Sequence, residues 1–211
     1  MRILLDASAE KLNSLIADNQ QLVLGQFLTP LTNYANWGGV FAIDNGAFSG
    51  FDRKVFDRLL HNNRPQRDNC LWVAVPDVVG SARRTLEVFD YLHGDYCSWP
   101  LALVAQDGIE DLPIPWREID AVFIGGTDGF KMSRAAVDVI RAAQALGKHT
   151  HVGRVNTRKR FSHFHQLGVD TCDGSGLCRF SDEKLPQLHG LGELPLFDRR
   201  DSCLVSGDET I

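Results

Sequence analysis

The sequence lacks any apolar stretch that approaches the roughly 20 residues needed to span a bilayer as a helix. Its first residues, Met1-Arg-Ile-Leu-Leu-Asp6, reach an acidic side chain too early for the apolar region of a secretory signal. We therefore expect a cytoplasmic protein with no membrane partner.

Cysteine is scarce, and positive charge is in deficit. The five cysteines are odd in number, widely spaced and never arranged as Cys-x-x-Cys, which excludes a disulfide framework and a structural zinc site. The four histidines of residues 149–165 do not have metal-ligand spacing either, so we expect no metal and no other cofactor. The net charge of −5 argues against a protein that coats nucleic acid, although a local basic patch is compatible with it.

Eight short and nearly continuous apolar runs recur along the 211 residues, which is typical of parallel strands buried on both faces. Helical spacing separates most of them, and it is weakest after the second and fifth runs. The pattern predicts one domain, residues 1–211, folded as a compact (β/α)8 barrel, with residues 185–211 as a C-terminal capping segment. An open doubly wound sheet is the alternative, but no Gly-x-Gly-x-x-Gly follows the first run. The predicted strands are Arg2–Asp6, Leu22–Phe27, Val40–Asp44, Leu71–Pro76, Leu101–Ala105, Ala121–Ile124, His149–Gly153 and Val169–Asp173.

Polar and glycine residues gather where these strands end. Because the active sites of such barrels lie at the C-terminal ends of the strands, we expect these residues to meet at one rim. Carboxylates, an amide and a Gly-Gly pair together suit a flat polar ligand. The segments are Asp44–Ser49 after strand three, Asp77 after strand four, Gln106 after strand five, Gly125-Gly126 after strand six, Arg154–Asn156 after strand seven, and Asp170 with Asp173 at strand eight.

This set resembles the tRNA-guanine transglycosylase superfamily, which exchanges a guanine for a 7-deazaguanine base. Asp44-Asn-Gly-Ala-Phe48 is similar to the family's Asp-Ser-Gly-Gly-Phe/Tyr motif, and Gly168-Val-Asp-Thr-Cys-Asp173 is similar to its Gly-Val-Asp-Met-Phe-Asp. Asp77, Gln106 and Gly125-Gly126 fall, in the same order, where the family reads the base. The resemblance covers about residues 40 to 176 and implies the family's barrel and its base-exchange reaction.

The chain also departs from the family. Ser49 stands where the family has Gln, and the Pro-Thr-Arg segment after the nucleophile is missing. The cysteine-and-histidine zinc module that helps to hold tRNA is absent from the sequence. The resemblance is therefore closest to the shorter relatives of phages and bacterial modification clusters, which insert 7-deazaguanine (preQ0-like) bases into DNA, with tRNA as the alternative polymer.

The resemblance implies that Asp173 is the nucleophile and Asp44 the general acid/base. Breaking an N-glycosidic bond builds positive charge on the sugar, which a carboxylate captures as a covalent intermediate. A second acid then manages the proton of the departing and arriving bases. Hydrolysis requires the same two carboxylates, so a hydrolytic N-glycosidase and a non-catalytic base-binding barrel remain as alternatives.

The remaining positions are implied to hold the base. Asp77, Gln106 and the Gly125-Gly126 backbone would read its edge, and Phe48 would stack on its face. Each has a plainer interpretation: Asp77 as a turn residue after Pro76, Gln106 as a loop amide, and Phe48 as part of the core.

Four cations occur within seven residues after strand seven. This basic run, Arg154, Arg158, Lys159 and Arg160, predicts contacts with the phosphates beside an extruded nucleotide, or else only the solvated start of a helix. Because the rest of the protein is acidic, specificity would come from a partner subunit, a homodimer or a particular DNA context.

Overall fold

The computed structural model describes residues 1–191. Eight parallel strands pair in sequence order, and β8 pairs with β1 to close the barrel. The predicted (β/α)8 barrel is thus confirmed, and the open-sheet alternative is wrong. The strands are β1 Arg2–Leu5, β2 Leu24–Leu28, β3 Phe41–Ile43, β4 Cys70–Ala74, β5 Leu101–Ala105, β6 Ala121–Ile124, β7 His149–Val152 and β8 Thr171–Asp173.

The five longest helices form in the segments whose spacing predicts a helix, Ala9–Ala17, Lys54–His61, Ala82–Leu92, Ser133–Leu146 and Thr157–Leu167. Each begins after a Ser, Thr or Asp whose side-chain oxygen accepts a hydrogen bond from a backbone N–H of the first turn. Such capping satisfies donors that have no partner within the helix. The helices are α1 Ala9–Asp18, α2 Arg53–Asn63, α3 Ala82–Tyr96, α4 Asp128–Lys131, α5 Arg134–Ala145, α6 Arg158–Gln166, α7 Ser175–Arg179 and α8 Ser181–Lys184.

Within residues 29–40 and 106–120, both of which the structure describes, no α-helix follows β2 or β5. This agrees with the weak helical spacing of both segments. The buried side chain of Gln26 holds the first segment in place: its Nε2 donates to the carbonyls of Ala7 (2.9 Å) and Ala35 (3.3 Å), and its Oε1 accepts from the Trp37 amide (3.0 Å). After β5 there is only a 3-10 turn, Ile109–Asp111.

Aromatic rings fill the interior of the barrel. Trp72 and His151 are fully buried, with ring centroids 4.6 Å apart, and Phe123 packs edge-on against His151 at 4.4 Å. Phe27 stacks on the same histidine. The interior of the barrel is therefore a packed core rather than a pore.

The end of the barrel opposite the rim is the end at which the strands begin. It holds Asp170, which the sequence interpretation placed at the rim, and part of the predicted capping segment. Asp170 precedes β8, and its carboxylate accepts from the Thr150 amide (2.8 Å) and hydroxyl (2.7 Å) at the start of β7. The expectation that Asp170 lies at the rim with Asp173 is wrong. Of the predicted capping segment, residues 185–191 lie at this same opposite end, where His189 meets Asn19 at 2.9 Å; residues 192–211 lie outside the described part.

Candidate active site

An open cavity of about 630 Å³ lies at the C-terminal end of the barrel. It brings together all seven residues that the sequence assigned to catalysis or base binding, although they come from five different strand ends. We refer to this end as the rim. The seven residues are Asp44, Phe48, Asp77, Gln106, Gly125, Gly126 and Asp173, and Arg154 of the basic run lies beside them.

Asp44 follows β3 and is positioned to exchange protons. Its Oδ2 accepts a hydrogen bond from the Gly46 amide at 3.1 Å. Burial raises the pKa of Asp44 to about 7, and the negative charges of Asp173 and Asp77 contribute to this rise. A carboxyl group that is half protonated at neutral pH can act as an acid in one step and as a base in the next.

Asp173, at the end of β8, has one oxygen restrained. Its Oδ1 lies 3.1 Å from Nε2 of His151 and 3.3 Å from the Arg154 amide, while no hydrogen bond from residues 1–191 reaches its Oδ2. Burial lowers the pKa of His151, so the ring is neutral and donates from Nε2. Nδ1 of the ring is 2.9 Å from the Thr171 hydroxyl, which fixes the ring's orientation. Oδ2 is thus the oxygen that residues 1–191 leave without a hydrogen bond.

Asp77 is held by two amides, which we call the amide clamp: Asn45 and Gln106. Nδ2 of Asn45 donates to Oδ1 of Asp77 at 2.9 Å, and Nε2 of Gln106 donates to Oδ2 at 2.7 Å. Oδ1 of Asn45 accepts from the Ala47 amide, and Oε1 of Gln106 accepts from the Gly80 amide, so neither side chain can flip without losing a bond. A carboxylate has about four acceptor positions, so two remain for a base. Asp77 is therefore an oriented acceptor rather than only a turn residue.

If the cavity holds guanine, as the sequence resemblance implies, Asp77→Asn should weaken guanine binding by roughly tenfold to a hundredfold. The NH2 group of the introduced asparagine would face one of the clamp's donors, and fewer acceptors would remain for the base. Isothermal titration with guanine and with hypoxanthine, which lacks the 2-amino group, measures this. Hypoxanthine should lose less affinity than guanine, which controls for general damage to the pocket. Guanine binding at the wild-type level in the variant would contradict the assignment of Asp77.

The Gly-Gly pair supplies one backbone donor, not two. The Gly125 amide donates to the Ala105 carbonyl at 2.9 Å, whereas no hydrogen bond of the described residues uses the Gly126 amide. A Cβ at Gly125 would lie 2.8 Å from Val104, and Gly126 has a φ of +70° that disfavours side chains. Both positions thus require glycine, but only Gly126 has an N–H that no group within residues 1–191 occupies.

Phe48 lies at the mouth of the cavity on a 3-10 turn, Ala47–Ser49, and the residue is 74% exposed. The core interpretation of Phe48 is therefore wrong. The guanidinium of Arg154 lies 5.1 Å from the centroid of its ring and donates to the Gly126 carbonyl at 3.3 Å. A ring and a cation at the mouth suit stacking against a base and contact with a phosphate.

The rest of the basic run begins α6. Arg158 and Lys159 are exposed, whereas Arg160 forms an ion pair with Asp128 at 2.8 Å. None of the three lines the cavity. Arg154 thus belongs to the site itself, and Arg158 and Lys159 are the exposed cations of the neighbouring helix start.

The sequence interpretation missed three residues of the site. Asn45 lies inside the quoted Asp44–Phe48 motif, in which only Asp44 and Phe48 were assigned roles. His151 belongs to an alternating histidine pair on β7, a signal that we interpreted only in terms of metal binding. Lys131 follows the Gly-Gly pair by five positions, and nothing in its surroundings in the sequence predicts that α4 turns it into the cavity.

Within residues 1–191 no group of three or more His, Cys, Asp or Glu side chains could hold a metal ion. No helix in that part of the chain is both long and apolar enough to cross a bilayer. Cys70, Cys97, Cys172 and Cys178 are free thiols.

No protein-family model matches the chain, and no curated protein matches it. Among solved structures, one similar to this chain is a standalone versatile EAL protein from Vibrio cholerae O395, in its c-di-GMP-bound form. The two are 9% identical with a TM-score of 0.37, over 79% of this chain and 68% of that one.

Proposed function

We propose that the protein is a glycosyltransferase that replaces guanine with a 7-deazaguanine base in DNA through a covalent bond between Asp173 and the sugar. The observation that carries the proposal is the meeting of two carboxyl groups in one cavity, Asp173 with an oxygen free to attack and Asp44 with a pKa of about 7. The resemblance of the rim motifs to the guanine transglycosylases supports the same reaction.

In the first half of the reaction, Oδ2 of Asp173 attacks the anomeric carbon of the sugar. The electron pair of the glycosidic bond leaves with guanine, which takes the proton of Asp44. The Asp77 carboxylate and the Gly126 amide hold the base edge while the charge moves.

In the second half the steps reverse with a new base. Asp44, now ionised, takes the proton from the ring nitrogen of the 7-deazaguanine, and that nitrogen attacks the anomeric carbon. The ester bond breaks, and its electron pair returns to Asp173. Atoms and charges balance between the two bases and the two carboxyl groups.

The proposal that the polymer is DNA rather than tRNA rests on the size and charge of the rim. Arg154, Arg158 and Lys159 can contact a few phosphates around one extruded nucleotide, which is a footprint suited to a strand rather than to a large folded RNA. Recognition of a target sequence would need further surface, from a partner subunit or from a second copy of the chain.

Labelled guanine tests the proposal directly. Matched oligonucleotides that carry labelled guanine, as duplex DNA, single-stranded DNA and a tRNA, are incubated with the protein, with and without a 7-deazaguanine. Without the incoming base we expect at most one equivalent of label per protein to be released from DNA, because the covalent intermediate then waits; with the base, release should continue over many turnovers. Release beyond one equivalent without the base would indicate hydrolysis, exchange into tRNA alone would contradict the DNA assignment, and no release from any polymer would contradict the enzyme assignment.

A further inference from the structure

Lys131 is a cation at the cavity to which the base-exchange steps assign no function. The residue is only 3% exposed, it lines the cavity, and its side chain forms no hydrogen bond with any side chain or carbonyl of residues 1–191. A lysine whose stem is buried and whose ammonium meets a cavity without a protein acceptor is available to acceptor atoms of a ligand. The position thus points to a bound group with acceptor atoms.

The charges around Lys131 do not fully compensate for its own positive charge within the protein. Asp173 and Asp128 attract its ammonium, whereas Arg154 and Arg160 repel it, and Asp128 is already paired with Arg160. Burial, the largest cause, lowers the pKa of Lys131 to about 8, so the side chain is still mostly a cation at neutral pH. A cation in these surroundings favours an acceptor or an anion from the substrate.

The order of strands around the rim places Lys131 against one edge of a purine. Asp77 follows β4, Gln106 follows β5, Gly126 follows β6 and Asp173 ends β8, and the barrel closes in this order. Around guanine, the order is the 2-amino and N1 edge, then the 6-oxygen, then position 7, then the nitrogen that bears the sugar. With Asp77 on the first edge and Asp173 at the sugar, position 7 faces the part of the rim where Lys131 and Arg154 lie.

We propose that Lys131 determines which group the protein accepts at position 7 of the base, favouring hydrogen-bond acceptors and anions and rejecting an ammonium. N7 of guanine is such an acceptor, as are a nitrile or a carboxylate on a 7-deazaguanine. A cationic aminomethyl group at the same place would meet the like charges of Lys131 and Arg154. The inference rests on the proposed function, because it takes a guanine-like base as the ligand.

Equilibrium binding of free bases tests the inference without nucleic acid. Guanine and the 7-cyano, 7-carboxy and 7-aminomethyl forms of 7-deazaguanine are titrated into wild type, Lys131→Met, Lys131→Glu and the control Lys148→Met, which makes the same change immediately before β7, away from the cavity. Wild type and the control should bind the cyano and carboxy forms at least about tenfold more tightly than the aminomethyl form. Lys131→Met should remove most of that preference, and Lys131→Glu should reverse it.

The outcomes separate this inference from the function on which it rests. If the bases bind and wild type shows no preference, or if Lys131→Met keeps the preference, the role of Lys131 is overturned while base binding stands. If no base binds to wild type, the proposed function fails and the inference fails with it. Thermal melting of each variant shows whether it is folded, and Lys131→Arg, which keeps the charge, should keep the wild-type order of affinities.

Discussion

Asp173→Asn will reduce base exchange by about 10⁴-fold or more, because an amide cannot form the ester with the sugar. The variant should still fold. The carbonyl oxygen of the introduced amide can take the place of Oδ1 and accept from His151 and from the Arg154 amide, as the carboxylate does at 3.1 and 3.3 Å. Single-turnover release of labelled guanine measures the loss.

Two further measurements give this prediction its controls. A denaturing gel of protein with labelled oligonucleotide should show a covalent adduct for wild type and none for Asp173→Asn. Asp182→Asn makes the same chemical change on exposed α8 and should retain both activity and adduct. Turnover of Asp173→Asn at the wild-type rate, or an adduct in that variant, would remove Asp173 from the role of nucleophile.

The second large effect is expected at Asp44, whose pKa of about 7 predicts opposite pH dependences for the two halves of the reaction. Guanine release needs protonated Asp44, so its single-turnover rate should fall by about tenfold per pH unit above pH 7. Capture of the incoming base needs ionised Asp44, so its rate should fall by a similar factor per unit below pH 7. Asp44→Asn should slow both by about 10²- to 10⁴-fold and remove both dependences.

The pH dependence of folding stability is an independent test of the raised pKa of Asp44. The pKa is raised from 3.8 to about 7 in the folded protein, so the folded state binds more protons than the unfolded state between these values. Wild-type stability from this group is therefore fully present below about pH 4 and is lost as pH rises through 7. Asp44→Asn should consequently melt at a higher temperature than wild type at pH 8, with the difference shrinking toward pH 4. If Asp44→Asn and wild type melt at the same temperature at pH 8, Asp44 is not buried as a charge. If the reaction rates of the variant also keep the pH dependence of wild type, Asp44 is not catalytic.

The sequence predicted the barrel because buried parallel strands appear as apolar runs and because segments with helical spacing separate most of them. It also predicted most of the site, because residues that directly follow parallel strands lie at one end of a closed sheet. A position at the end of a strand was sufficient to predict that Asp44, Asp77 and Asp173 lie together.

What the sequence could not predict depends on which way a side chain points and on what lies across the barrel from it. Asp170 and Asp173 are three residues apart, yet they lie at opposite ends of β8, because a strand rises by about 3.3 Å per residue. Gly125 and Gly126 are adjacent, yet only the Gly126 amide is left without a partner in residues 1–191, because the other is bonded to the neighbouring strand.

The sequence by itself thus determined the fold, the rim and three of the carboxylates that meet there, Asp44, Asp77 and Asp173, but it wrongly added Asp170. The tertiary structure decided the pKa values and the hydrogen bonds of these carboxyl groups. The pKa of Asp44 depends on burial and on charges more than 30 residues away in the chain, and the restraint of Asp173 depends on His151 of the neighbouring β7. The cation at position 131 enters the cavity only because α4 follows β6 and turns it inward. Burial and electrostatic coupling are properties of distances in space, and residue spacing along the chain does not encode them.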